Sequence, residues 1–159
     1  MTNLGLSAHV MRGENTQHWR VFRPRWRLTR DWLDPVPVPD EPADGFRRLI
    51  AVWLERFGPG TEDDIVWWLG ATKGIVRAAF ADLDAVPVTT EAGPGWVLPN
   101  DPLLDGVCTE VAPWAALLPV LDPTIMGWKQ RDFHLGPHGP ALLDRNGNAG
   151  TTAWWHGRV

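Results

Sequence analysis

The sequence predicts an α+β chain built on a winged helix, that is a helix-turn-helix followed by a β-hairpin wing, with a β-rich region behind it. Three observations predict it. Phe46, Leu49, Ile50, Trp53, Leu54 and Phe57 recur at spacings of three and four, the apolar stripe of one helix. Thr61, three residues before Asp64, opens a second, short helix in the manner of a capping box, and Gly70 ends it just before a third run from Lys73. VPVTTEAGPGWVLP then reads as strand, Gly-Pro-Gly turn and strand. Helix, helix, tight turn, helix, hairpin is the order of a winged helix, although small three-helix modules of other purposes share it.

Taken in order, the chain starts with an arginine-rich segment. Of its 159 residues, 15 are Lys or Arg and 19 are Asp or Glu, a net charge of −4. Residues 1–33 nevertheless carry six arginines and two acids, net +4, whereas 34–72 are at −5 and 73–159 at −3. In WRVFRPRWRLTRDW, arginines alternate with aromatics at strand spacing from Trp19, and Pro24 bars a central ladder position. Such a strand can lie along phosphates, or it can be a solvated edge strand whose arginines oppose aggregation. LDPVPVPDEP then reads as an extended proline-rich linker. The first helix is predicted from Pro42 at its first turn to Phe57, stopped by Gly58-Pro59-Gly60. In the second, Ile65, Trp68 and Leu69 share a face. Trp68 is therefore expected in the core, and Trp67 on a part-exposed side. In the third, Ile75, Val76, Ala79, Phe80 and Leu83 face inward and Lys73, Gly74, Arg77, Ala78 and Ala81 face out. Beyond residue 100, VAPWAALLPVL, MGWKQRDFHL and TTAWWHGRV read as strands or short helices between Pro and Gly breaks. TTAWWHGRV resembles half of a hairpin that stops at Val159 before its return strand, so the chain reads as a piece of something longer. The domains expected are 1–38, the Arg/Trp region and linker; 39–100, the winged helix; and 101–159, the β-rich region.

Several classes are excluded. No apolar run approaches the length of a membrane-spanning helix, and the first residues lack the pattern of a signal peptide. One cysteine, Cys108, allows no internal disulfide and no cysteine-based zinc site, so a reducing cytoplasm is the expected compartment. Eleven Trp and no Tyr are unusual, but only the first segment sets aromatics among arginines, where base stacking would need them.

The motifs resemble a known family. RFGPGTEDDIVWWLG looks like the GPAT-x-x-D-x-x-x-W-x-G segment of the winged-helix DNA glycosylases, the AlkZ-like or YcaQ-like group. LLPVLDPTIMGWKQRDF is similar to that family's LLP-x-[FL]-D-x-x-[LI]-x-G-[YW]-x-x-R, NAGTTAWWHGRV to its late strand, and VFRPRWRLTRDWLDPVP to the end of its preceding winged helix. The resemblance implies tandem winged helices around a small β-barrel, of which 101–159 would be part, and proteins that excise alkylated or cross-linked bases from duplex DNA or confer self-resistance. The family's catalytic motif is Gln, an apolar residue, then Gln or Asp. Gln17 and Gln130 lack those neighbours, so no catalytic residue is carried over, and the chain reads as a fragment without the catalytic first winged helix.

For DNA contact the candidates are Arg20, Arg23, Arg25 and Arg27 in the basic segment, Lys73 and Arg77 on the recognition helix, and Lys129 and Arg131 further on. The recognition helix lacks the Arg, Asn or Gln set that reads base edges, so binding is expected to be weak and sequence-independent. The wing, Thr89 to Gly95, carries one acid and no base. An Arg131 paired with Asp122 or Asp132 is the duller alternative. His134 and His138 stand four apart with Asp132 nearby, but Gly136-Pro137 breaks the helix that would make this a metal spacing. Glu62, Asp63 and Asp64 crowd a first helical turn, where the helix dipole accounts for them. No cofactor and no metal are expected. The rival reading is a docking or dimerisation module that binds protein and not DNA; steep weakening by salt would separate the two.

Overall fold

A computed structural model describes residues 2–18, 20–91, 93–106 and 110–159. Trp19 of the expected Arg–aromatic strand, Ala92 of the wing and Cys108 lie outside the described residues. The chain forms two compact units, 1–45 and 46–159.

The first unit holds helix α1 (Thr2–Leu6), strands β1 (Val10–Asn15) and β2 (Pro24–Leu28), and the single turn α2 (Thr29–Trp32). β1 and β2 pair antiparallel, with Arg12 opposite Trp26 and Asn15 opposite Pro24. The regular strand therefore begins at Pro24, and residues 20–23, which the alternation includes, lie outside it. A proline has no N–H for a ladder, and the first residue of a strand is where that matters least. Residues 20–23, just before it, carry no strand and are fastened by Asn15. Its Nδ2 donates to the Val21 carbonyl at 2.8 Å, and its Oδ1 accepts from the Arg23 N–H at 2.8 Å. Residues 33–41 carry no regular element, as the proline-rich composition predicted.

Helix α3 (Pro42–Phe57) has the predicted bounds and leads into the second unit. Ile50, Trp53 and Leu54 are buried on the stripe, but Leu49, expected beside them, is 51% exposed. Strand β3 (Gly60–Thr61) begins at the last glycine of the Gly-Pro-Gly stop. A side chain at Gly60 would run into the Trp53 indole, so the close crossing of β3 over that ring requires glycine. Helix α4 (Glu62–Leu69) starts with the capping box read from the sequence: Thr61 Oγ1 accepts from the Asp64 N–H, and the Asp64 carboxylate accepts from the Thr61 N–H. Gly70, at φ +64°, closes it. Helix α5 (Lys73–Asp82) is capped by Thr72 and buries Val76, Ala79 and Phe80, as predicted.

Strands β4 (Val86–Thr90) and β5 (Gly93–Val97) form the hairpin, in a sheet ordered β3-β5-β4. Gly93-Pro94-Gly95 lies inside β5, not in the turn; the last pair of the hairpin is Thr90 opposite Gly93. Pro94 is tolerated there because β3 pairs with β5 only from Gly95 onward. Phe80 stacks on Trp96 at 4.7 Å between ring centres and seals this core.

Strand β6 (Ala115–Leu118), turns α6 (Pro123–Met126), α7 (Asp132–Leu135) and α8 (Gly139–Leu142), and strand β7 (Thr152–Trp155) complete the chain. The expectation that TTAWW lacks a partner is corrected. β7 pairs antiparallel with β6, Ala115 opposite Trp155 and Leu118 opposite Thr152. Ile125, Leu135, Ala149 and Trp154 form the second buried cluster. Trp128 packs on the first, where its Nε1 donates to the Phe57 carbonyl at 3.1 Å and its ring meets Phe57 edge-on at 5.4 Å, and reaches the second through His134, which stacks on Trp154. No helix among the described residues is long and apolar enough to cross a membrane.

The predicted facing of α4 also needs correction. Trp68 is 44% exposed and Trp67 39%, while Ile65 is fully buried. The inward face turns from Ile65 toward Val66 and Leu69, which pack on the core, and leaves Trp68 at its edge against Phe57, 6.4 Å between ring centres. Trp53→Ala is accordingly expected to cost about 3–5 kcal/mol, and Trp68→Ala about 1–2 kcal/mol because so much of its surface stays in water. Thermal melts of both variants check this; an equal loss would place Trp68 in the core after all.

Candidate nucleic-acid interface

The basic residues singled out in the sequence fall into three settings. Arg20 and Arg23 lie in the segment fastened by Asn15, and Arg25 and Arg27 alternate with Trp26 along β2. Arg27 pairs with Glu14 at 2.8 Å and lies over the Trp32 ring, its guanidinium carbon 5.2 Å from the ring centre. Arg12, across the hairpin, covers Phe22 at 4.9 Å and Trp26 at 5.6 Å. The arginine–aromatic alternation is thus realised as cations stacked on exposed rings, a geometry also open to bases and phosphates.

Lys73 and Arg77 project from the outer face of α5, as predicted, but they meet the acids that open α4. Arg77 donates from Nε and Nη2 to both oxygens of Glu62, at 2.6 and 3.2 Å. Lys73 Nζ lies 2.8 Å from Asp63 and 3.4 Å from Glu62. The hydrogen bond from Arg77 holds the Glu62 carboxyl below its usual range, and that from Lys73 does the same for Asp63. In the sequence Glu62 and Asp63 stand in a helical first turn, where the helix dipole accounts for them. Their proximity to α5 follows from the turn between the helices, which no linear spacing displays.

The third setting is the segment 128–133. The Asp64 carboxylate, 2% exposed, accepts from the backbone N–H groups of Lys129 at 2.8 Å and Gln130 at 3.2 Å, as well as from Thr61. The Lys129 side chain is thereby left outside. Arg131 is 6% exposed and pairs with neither Asp122 nor Asp132. Asp122 instead caps α6 through the Thr124 N–H. The Arg131 Nε donates to the Trp128 carbonyl and Nη1 to the Gly147 carbonyl, both at 2.7 Å, and the guanidinium lies 5.0 Å from the centre of the Trp67 ring. Asp144 presents that carbonyl, because its Oδ1 accepts from the N–H groups of Asn146 and Asn148 at 2.8 Å each and shapes the turn between. Burial lowers the pKa of Arg131. A cavity of about 620 Å³ opens beside it, walled by Trp67, Lys129, Phe133, Asn146 and Arg158, with Glu91 and Asp132 also at its edge.

His134, four residues from His138 and two from Asp132, is a metal candidate by spacing alone. Among the described residues no three His, Cys, Asp or Glu gather where they could hold an ion. His134 is 3% exposed, stacks on Trp154 at 5.3 Å and is flanked by Phe133 and Trp128, and neither ring nitrogen has a hydrogen-bond partner among the described residues. Burial first, then the Arg131 charge, push its pKa down from 6.5 to about 4, against a small opposing pull from Asp132. The unfolded chain takes up this proton near 6.5 and the folded chain only near 4, so the stability held by a neutral His134 is complete above 6.5 and is lost as pH falls through that window. A drop of up to about 3 kcal/mol between pH 7 and pH 4 is expected from this group. Denaturant unfolding of the parent and His134→Phe across that range checks it, the variant showing the shallower decline.

The AlkZ-like family model, described as DNA glycosylase AlkZ-like, matches residues 1–159. Among solved structures, the fold is similar to that of the Streptomyces sahachiroi DNA glycosylase AlkZ, with a TM-score of 0.78 at 20% identity. The match covers 94% of this chain and 41% of that one, so the chain spans about two fifths of the structure it resembles. No curated protein matches.

Proposed function

We propose, from the premise that the chain belongs to the AlkZ-like DNA glycosylase family, that it is a non-catalytic, DNA-binding winged-helix portion of such a protein. On this reading 1–38 ends a preceding winged helix, 39–100 is a winged helix and 101–159 is part of a barrel. Its partner is duplex DNA in the cytoplasm, gripped weakly and without regard to sequence. The observation that carries the reading is the net +4 of residues 1–33, set on a two-stranded hairpin whose Arg25, Trp26 and Arg27 are all exposed. A duplex binds such a strip through its phosphates, and releases counterions in doing so.

The recognition helix contributes less than its position suggests. Lys73 and Arg77 are already neutralised by Asp63 and Glu62, and the rest of the outer face is Gly74, Ala78 and Ala81. It can rest near a backbone but has no side chain with which to read a base edge. That neutralisation favours the rival reading, a docking module for protein, as do the exposed Leu49 and Val52 on α3, at 51% and 54%.

Two outcomes are expected. Fluorescence-anisotropy titration of a labelled duplex should show affinity falling steeply with salt, and replacing Arg23, Arg25 and Arg27 together by Ala should flatten the slope by up to about three phosphate contacts. Unchanged affinity at low salt would favour the docking module. Incubation with alkylated duplex should release no free base above a control without protein, since neither Gln17 nor Gln130 has the family's catalytic neighbours.

A further inference from the structure

We infer that the cavity beside Arg131 is a binding site for a single phosphorylated nucleotide, its phosphate held by Arg131, Lys129 and Arg158 and its base stacked against Trp67 or Phe133. This goes beyond the proposed grip on a duplex, because the group at its centre is recessed. Arg131 is 94% out of contact with solvent, yet no carboxylate among the described residues pairs with it. Two backbone carbonyls occupy Nε and Nη1, and Nη2 makes no hydrogen bond to the described residues and is not closed off from solvent. A buried, uncompensated guanidinium is costly, and an anion entering the cavity would offset that cost. Phosphate suits it, since the two N–H donors left on Nη2 carry the full guanidinium charge to an anionic oxygen.

The rest of the wall agrees with a nucleotide. Lys129, Arg131 and Arg158 outnumber Glu91 and Asp132, so the lining is net positive in a chain of charge −4. Trp67 and Phe133 are each 39% exposed, so both rings have surface to offer a base. The amides of Gln130 and Asn146 stand at the same wall with donors and acceptors for a base edge. At about 620 Å³ the space suits one ligand of that size and would be largely empty around a bare phosphate. The site is also held in shape: Asp64 fixes the N–H groups of Lys129 and Gln130, and the Asp144 turn fixes the carbonyl of Gly147.

The test titrates the full chain with 2′-deoxyadenosine 5′-monophosphate, 2′-deoxyadenosine and inorganic phosphate, followed by calorimetry and tryptophan emission. The nucleotide is expected to quench emission and to bind at least about tenfold more tightly than the nucleoside or phosphate alone. Replacing Arg131 risks unfolding, so the variant is Lys129→Gln with Arg158→Gln, both exposed side chains. It should keep its melting temperature and lose nucleotide affinity by about tenfold. Nucleoside binding as tight as the nucleotide, phosphate binding as tight as the nucleotide, no saturation by the nucleotide at millimolar concentration, or full affinity in the double variant would each overturn the assignment. The titration contains no duplex, so its outcome is read separately from that of the arginine hairpin.

Discussion

The carboxylate of Asp64 is the joint on which the second unit turns. It is almost wholly buried and receives four donors: the N–H and hydroxyl of Thr61 on one oxygen, the N–H groups of Lys129 and Gln130 on the other. One oxygen therefore starts a helix, and the other fixes a loop some sixty-five residues further along the chain. A carboxylate this far from water is tolerable only when its lone pairs are filled, and this one is filled from both sides. The segment it anchors carries Trp128, which packs on the first apolar cluster and reaches the second through His134, and Arg131, which shapes the cavity.

The two outward charges of α5 illustrate a second constraint. A short helix ending in Gly70 and a turn of two residues bring the acidic first turn of α4 against the basic start of α5. The chain thus satisfies the charges of α5 itself, and the other basic residues singled out in the sequence lie on the N-terminal hairpin and around the cavity. Local electrostatics decide which basic side chains of this chain remain open to an anion.

Features that depend on near neighbours were legible in the sequence. Pro42 and the Gly58-Pro59-Gly60 stop delimit α3 to the residue, and Thr61 with Asp64 announces the start of α4. The inward face of α5 follows from its spacing alone. What was not legible depends on partners far along the chain. Trp68 shares a helical face with Ile65, but which flank turns inward is decided by where Phe57 and the α5 core sit. Gly93-Pro94-Gly95 has the composition of a turn and becomes a strand because β3 ends where Pro94 would have needed to donate. The burial of Arg131 and the second role of Asp64 are of this kind too. The sequence shows an arginine among polar residues and an acid in a helical first turn, and neither spacing reveals that one is enclosed by Trp67 and the other by Lys129.

The contact of Gly60 with the Trp53 indole ties two positions into one unit of inheritance. Gly127 and Phe57 form a second such pair, since a side chain at residue 127 would stand 2.6 Å from the phenyl ring. In each pair the larger member occupies the space that the smaller gives up, so neither can drift alone. A lineage in which residue 60 gains a methyl group must first shrink residue 53, passing through a form with a hollow in the core of α3. Such a two-step path is slow, because its first step loses stability before the second recovers it. No such pairing binds Val52 and Leu49, on the outer side of the same helix, whereas a side chain at 60 requires a smaller residue at 53 before it.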